Sequence, residues 1–225
     1  MGEVCALKDV RVWFTKDDEC RFISHLDLNR CMLRALHKSR IPIWHTEGFN
    51  VHPYATFPLP LSLGFRGEKE CMDIRLVEDY SYSDIKDKLN FCLPTGIRVY
   101  DVREPVMKAK EIAFASFKIK LSCEDISADE LFKLTNELLS KDEILVDKKT
   151  KKKGVREIDI KPYFSGTKTE RNIGGVIIRC TLPAGSVTNI NPLLLQKAFE
   201  KYYDIDVYFD VTKKEMFDKK MKAFE

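Results

Sequence analysis

Apolar and polar positions alternate along this chain in two periods, and the switches between them mark its elements. Residues 10–15 alternate at period two, as a half-buried strand does. Across 24–39 the period becomes helical, with Leu28, Met32, Ala35 and Leu36 on one face. Ser24 stands at the N-cap and Asp27, three residues on, completes a capping box, while Pro42 predicts the stop. Residues 54–61 and 71–77 read as strands around Gly64 and Gly67, 81–91 as a short helix closed by Leu93-Pro94, and 96–102 as a strand. The order is βαββαβ. A linker rich in Lys and Ala follows at 104–112.

The order then recurs. Residues 114–121 alternate as a strand, and Ser127 caps a helix running to Ser140 with Glu130 three residues after the cap. Residues 144–148 and 155–163 form a predicted hairpin ending its turn at Gly154, followed by a strand at 175–182. Asn191-Pro192 opens a helix through Tyr202, Pro being tolerated in the first turn, and 205–211 closes as a strand. The second half therefore carries one strand more than the first. Two such orders in tandem predict an α+β protein of two tandem ferredoxin-like (βαββαβ) sandwiches with antiparallel sheets, divided into domains 1–104 and 113–225.

Composition narrows the class. An apolar content of 44% is enough for a packed core and argues against disorder. No run of 18 apolar residues predicts a membrane span, so no membrane partner is expected. The first residues lack the basic start and small-residue cleavage site of a signal peptide. Seven cysteines are scattered without a CxxC pair, which points to buried or free thiols in a cytoplasmic location and to no metal or other cofactor. The net charge is only +3, yet between Lys148 and Arg171 nine Lys or Arg face three acidic residues. That basic segment, with Lys151, Lys152, Lys153 and Arg156 at its centre, suits an anionic partner or simply a solvated hairpin tip.

The densest polar chemistry lies between residues 20 and 64, which hold all four histidines, His25, His37, His45 and His52. Asp27, Arg30, Arg34 and Lys38 form a stripe off the apolar face of the first helix, flanked by Arg21 and Arg40. One reading is a solvated face; the other is an anion-binding face, for which the arginine fork suits phosphate. The segment His45-Thr46-Glu47-Gly48-Phe49-Asn50-Val51-His52-Pro53 adds weight to the second, because loops holding Gly, Asn and His together often present function. Ser24, His25, Asp27, Arg30, Arg34, Asn50 and His52 are expected to share one pocket. Trp44, Phe49 and Tyr54 could stack on bases splayed from a single strand, and core packing, the alternative for all three, is more expected of Phe49 than of Trp44.

The string RFISHLDLNRCMLRAL, then IPIWHTEGFNVHP, then PLSLG with Glu70 and Asp73 after it, resembles the radical SAM-linked protein family. That family's pattern is RF-x-SH-x-DL-x-R, R-A, P, GFNPHP, PL-x-x-G and E-x-x-D. VREIDIKPYF and LPAGSVTNINPLLLQKAF resemble its later motifs, and the similarity spans about residues 7–210. This chain departs from the pattern with Val51 for a proline, His37 in a basic pair and Asn191 for an arginine. The resemblance implies a radical SAM protein as partner and an RNA-linked role without naming a reaction. The chain has no CxxxCxxC and so carries no radical SAM cluster site of its own.

Two function classes follow. One is an RNA-binding accessory protein in which Arg21, Ser24, Asp27, Arg30, Arg34, Asn50 and the residues 151–156 form the anion-binding surface. The other is a metal-independent endoribonuclease similar in layout to CRISPR repeat-processing enzymes, with His25, His45 or His52 as acid or base and an arginine on the phosphorane. The glycine-rich loop of those nucleases is reduced here to Ala184-Gly185. Metal binding by His45 and His52 with Glu47 or Asp73 is a weaker reading, and a protein–protein adaptor is the outcome if neither class binds RNA.

Overall fold

The computed structural model describes residues 7–150, 154–185 and 188–225; the basic residues Lys151, Lys152 and Lys153 fall outside them. The chain divides into two compact units, one of residues 1–112 with 223–225 and one of residues 113–222.

The first unit contains β1 (Lys8–Lys16), a 3-10 turn (Asp18–Phe22), α1 (His25–Ser39), β2 (Ala55–Thr56), β3 (Arg66–Leu76), α2 (Tyr82–Cys92) and β4 (Ile97–Arg103). β1 lies between β3 and β4, β2 adds to the far side of β3, and each pairing is antiparallel. The inward faces of β1 and β3 (Val10, Val12, Phe14, Met72, Ile74, Leu76) meet Leu28, Met32 and Leu36 of α1 and Ile85 and Leu89 of α2. Serine hydroxyls cap both helices: Ser24 accepts from the Asp27 amide and Ser81 from the Asp84 amide.

α1 ends at Ser39, as the pattern over 24–39 predicts, and Arg40 turns left-handed (φ 53°) ahead of Pro42. Two sequence expectations are corrected here. The expected strand over 54–61 is two residues long: Pro58 and Pro60 have no amide to give a ladder. β3 begins at Arg66, earlier than 71, since Gly67 is itself buried and paired opposite Lys16.

The second unit contains β5 (Phe114–Ser122), α3 (Ala128–Ser140), β6 (Leu145–Thr150), β7 (Gly154–Asp159), α4 (Lys161–Phe164), β8 (Lys168–Asn172), β9 (Gly175–Pro183), α5 (Leu193–Tyr203) and β10 (Tyr208–Phe217). β5 and β9 occupy the middle of its sheet, with β10 beside β5 and β8 beside β9, again antiparallel. β6 and β7 pair only with each other in a separate ribbon. The expected continuation of that hairpin to residue 163 is a helix instead: Pro162 enters the first turn of α4 and Phe164 is buried. β8 was not expected from the sequence, because KTERN is polar throughout and only Thr169 is partly covered. β10 extends six residues beyond the expected end at 211, to Phe217.

Among the described residues no helix is long and apolar enough to cross a membrane.

Candidate functional site

The start of α1 is held by a residue that pattern reading passed over. Lys16 ends β1 on the same alternate positions as Val10, Val12 and Phe14, and it is 1% exposed. Its Nζ donates to the carbonyls of Arg21 (3.4 Å) and Ile23 (3.2 Å), which fixes the turn that delivers Ser24 to the cap of α1. The Arg21 carbonyl also accepts from the Gly64 amide (2.9 Å), tying the same turn to the loop before β3. Burial pushes the Lys16 ammonium pKa down, and the charge of buried Glu70 opposes this. A Cβ at Gly67 would run into the Glu70 side chain, so glycine there leaves Glu70 its place. The signal for Lys16 was a charged residue at an inward-facing strand position, where only a paired or hydrogen-bonded group is tolerated.

His25, the first residue of α1, packs edge-on against Phe57 (5.1 Å between centroids). Its Nδ1 is buried without a hydrogen-bond partner. Burial first, then the Lys16 charge, push its pKa below the ordinary imidazole value. The folded chain thus binds this proton more weakly than the unfolded chain, so stability is lost as pH falls through about 6.5 toward the lower folded value. Urea midpoints taken near about pH 7.5 and 5.5 should drop in the wild type and drop less in His25→Gln. An equal drop in the variant would remove His25 from that linkage.

Beyond His25 the helix turns outward. The Ser24 hydroxyl donates to the Asp27 carboxylate (2.6 Å), and this bond, aided by Arg30 at 3.4 Å, holds the Asp27 carboxyl below its usual range. Both Asp27 and Arg30 are exposed, so their ion pair adds little stability. Arg34, His37, Lys38 and Arg40 are also exposed, and their side chains form no hydrogen bond or ion pair among the described residues. Arg21 leaves this cationic face: it is buried, its guanidinium lies 4.7 Å from the Phe22 ring centroid, and Asp18 and Glu19 line the same cavity.

The segment after α1 closes on itself. His45 bridges to Pro53, the Thr46 amide donates to the His52 carbonyl (2.9 Å), and the Thr46 hydroxyl sits between the Asn50 and His52 carbonyls. Gly48 turns the tip with φ 117°, where side chains are strained. His45 Nδ1 lies 3.0 Å from the Ile43 carbonyl and His52 Nδ1 3.1 Å from that of Pro53. A carbonyl only accepts, so each Nδ1 carries a proton in these contacts. Phe49, for which the sequence left base stacking and core packing both open, is fully exposed at the tip (relative exposure 108%). At the base of this loop Trp44 and Tyr54 meet edge-on at 5.5 Å, and the Arg75 guanidinium covers both rings at 5.6 and 4.9 Å. Asp9 fastens Arg75 at 2.6 Å, so these two rings already have their stacking partner.

The structure therefore places Ser24, Asp27 and Arg30 together, and His45, Asn50 and His52 together. No hydrogen bond or ion pair among the described residues joins Arg30 or Arg34 to the 48–53 loop. Arg156 lies exposed on β7, opposite Lys148. No group of three His, Cys, Asp or Glu among the described residues could hold a metal ion, which counts against the His45–His52 metal reading. Cys20, Cys31, Cys71, Cys92, Cys123 and Cys180 are free thiols; burial pushes Cys180 up to about 12, far from a reactive thiolate.

The fold is mixed α+β with mostly antiparallel pairing, and its polar chemistry gathers around α1 and the loop behind it. Residues 9–192 match the family DUF2344, described as "Uncharacterized protein conserved in bacteria", and the chain belongs to that family. No curated protein matches the sequence. Among solved structures, the chain is similar at 12% identity and a TM-score of 0.28 to an unknown protein from Galdieria sulphuraria, covering 92% of this chain and 99% of that one.

Proposed function

We propose that this protein is a cytoplasmic RNA-binding accessory to a radical SAM enzyme, and that each of its units is a ferredoxin-like sandwich. The observation that carries the RNA reading is Phe49. A phenyl ring held in water at the tip of a hydrogen-bonded loop costs solvation and contributes no packing, and bases splayed from a single strand stack on such rings. The same unit presents Arg30, Arg34, Lys38 and Arg40 with little intramolecular pairing, as a phosphate-tracking surface requires. The loop's internal hydrogen bonds lower the ordering cost of binding. The radical SAM partner rests on the sequence resemblance. The ferredoxin-like reading is supported by the antiparallel order β4-β1-β3-β2 in one unit and β10-β5-β9-β8 in the other.

Gel-shift titration of single-stranded and hairpin RNA with EDTA present tests the reading. Affinity should fall steeply with salt, and Arg30→Ala with Arg34→Ala should flatten the log–log slope by about one for each phosphate no longer neutralised. Absence of salt-sensitive binding, alone or with a radical SAM partner, would leave a protein–protein adaptor. Cleaved RNA that needs His25, His45 or His52 would instead make the protein an endoribonuclease.

A further inference from the structure

The second unit carries an unassigned basic cavity of about 500 Å³ on the open face of its sheet, between the strands and the turn joining α4 to β8. Lys118 of β5 and Lys168 of β8 both stand directly opposite Arg179 of β9, so three cations lie abreast on neighbouring strands. Lys214 of β10 lines the same cavity, and none of its lining residues is acidic. Like charges directly across strands repel and destabilise a sheet. Glu170 is the one carboxylate that answers them: it pairs with Arg179, and the charges of Lys118 and Lys168 also act on it. Lys118 and Lys168 make no hydrogen bond or ion pair among the described residues. A second observation is independent of charge. Thr167 lines the cavity, and its hydroxyl is buried with no hydrogen-bond partner, where a buried polar group ordinarily has one.

We infer that this cavity binds a phosphate-bearing ligand of nucleotide size. One carboxylate faces Lys118, Lys168 and Arg179 together, and phosphate supplies the further negative charge and an acceptor for the Thr167 hydroxyl. The volume exceeds what a bare anion fills and falls within the range of small-ligand sites. Tyr163 also lines the cavity and adds an aromatic ring for the remainder of the ligand. The site is separate from the Phe49 loop and does not depend on the RNA reading of the first unit. The phosphate can come from a free nucleotide or from the phosphorylated end of an RNA strand, and both present the same chemistry.

Calorimetric titration of the full chain separates these sources. The ligands are AMP, adenosine, and a short oligoribonucleotide with either a 5′-phosphate or a 5′-hydroxyl. AMP should bind and adenosine should not. Equal affinity for AMP and the phosphorylated strand assigns a free nucleotide, and a strand preference above about tenfold that vanishes with the 5′-hydroxyl assigns a chain end. Lys118→Gln with Lys168→Gln should weaken binding about tenfold or more and reduce its salt dependence, as should Thr167→Val in affinity alone. Lys133→Gln, an exposed charge change on α3 outside the cavity, should bind as the wild type does. Melting followed by circular dichroism should show the double variant at least as stable as the wild type without ligand, because repulsion has been relieved. No binding of AMP or the phosphorylated strand at about 1 mM, or unchanged binding by the folded double variant, overturns the inference.

Discussion

Asp73→Ala is expected to destabilise the first unit by about 3–5 kcal/mol, the usual result of stripping the partner from a buried charge. Arg11 is 1% exposed, and Asp73 grips its Nε at 2.7 Å and an Nη at 2.9 Å. The Glu225 and Met107 carbonyls accept from the rest of the fork at 2.8 and 2.9 Å, and the Phe224 ring lies 4.3 Å from its centre. The fork is held on every side, and a guanidinium does not shed its proton to escape a low dielectric. Removing the carboxylate leaves the full charge in place. Asp9→Ala, which breaks the exposed pair with Arg75, should cost no more than about 1 kcal/mol. Both tryptophans, Trp13 and Trp44, lie in the first unit, so urea unfolding followed by tryptophan fluorescence reports on it alone. Similar losses for the two variants would refute the ranking.

Phe49→Ala should weaken single-stranded RNA binding by about 1–3 kcal/mol, roughly 5- to 150-fold, the range for one stacked base. Since the ring is fully exposed and packs against nothing, stability should stay within about 0.5 kcal/mol of the wild type. Fluorescence anisotropy with a labelled oligonucleotide measures the first quantity and urea unfolding the second. The salt dependence should be unchanged, because a phenyl ring neutralises no phosphate. An affinity within about twofold of the wild type would take the loop tip out of RNA binding, and a flattened slope would mean the loop had moved.

Much of the architecture was legible because its signals are local. Ser24, Ser81 and Ser127 all cap the helices they precede, and the order of elements in the first unit follows from periodicity alone. What escaped depends on partners far along the chain. β8 is a strand because β9 offers it an edge, although its own residues are polar. Phe49 carries no local mark that separates core packing from exposure, and its place at the tip goes with the closure of Thr46 onto His52. The cationic face of α1 and the histidine loop were visible as residues, but the buried Lys16 beneath them was not, since a lysine ordinarily signals surface. The basic row Lys118–Arg179–Lys168 joins residues from three strands and has no sequence spacing to betray it.

Residues 223–225 belong with residues 1–112, so the second unit is an insertion in a unit that is discontinuous along the chain. Such an interruption costs loop-closure entropy unless the inserted piece returns its own ends to one place. It does: Phe114 and Phe217 are paired across β5 and β10, and the Ala113 amide donates to the Phe217 carbonyl at 2.8 Å. Once the insertion has folded, the first unit sees it as a short, closed connection rather than a tether of over a hundred residues. A fragment cut at residue 112 would therefore be incomplete, because it lacks Phe224 against Trp13 and the Glu225 carbonyl on Arg11. The piece that can be excised whole is the second unit.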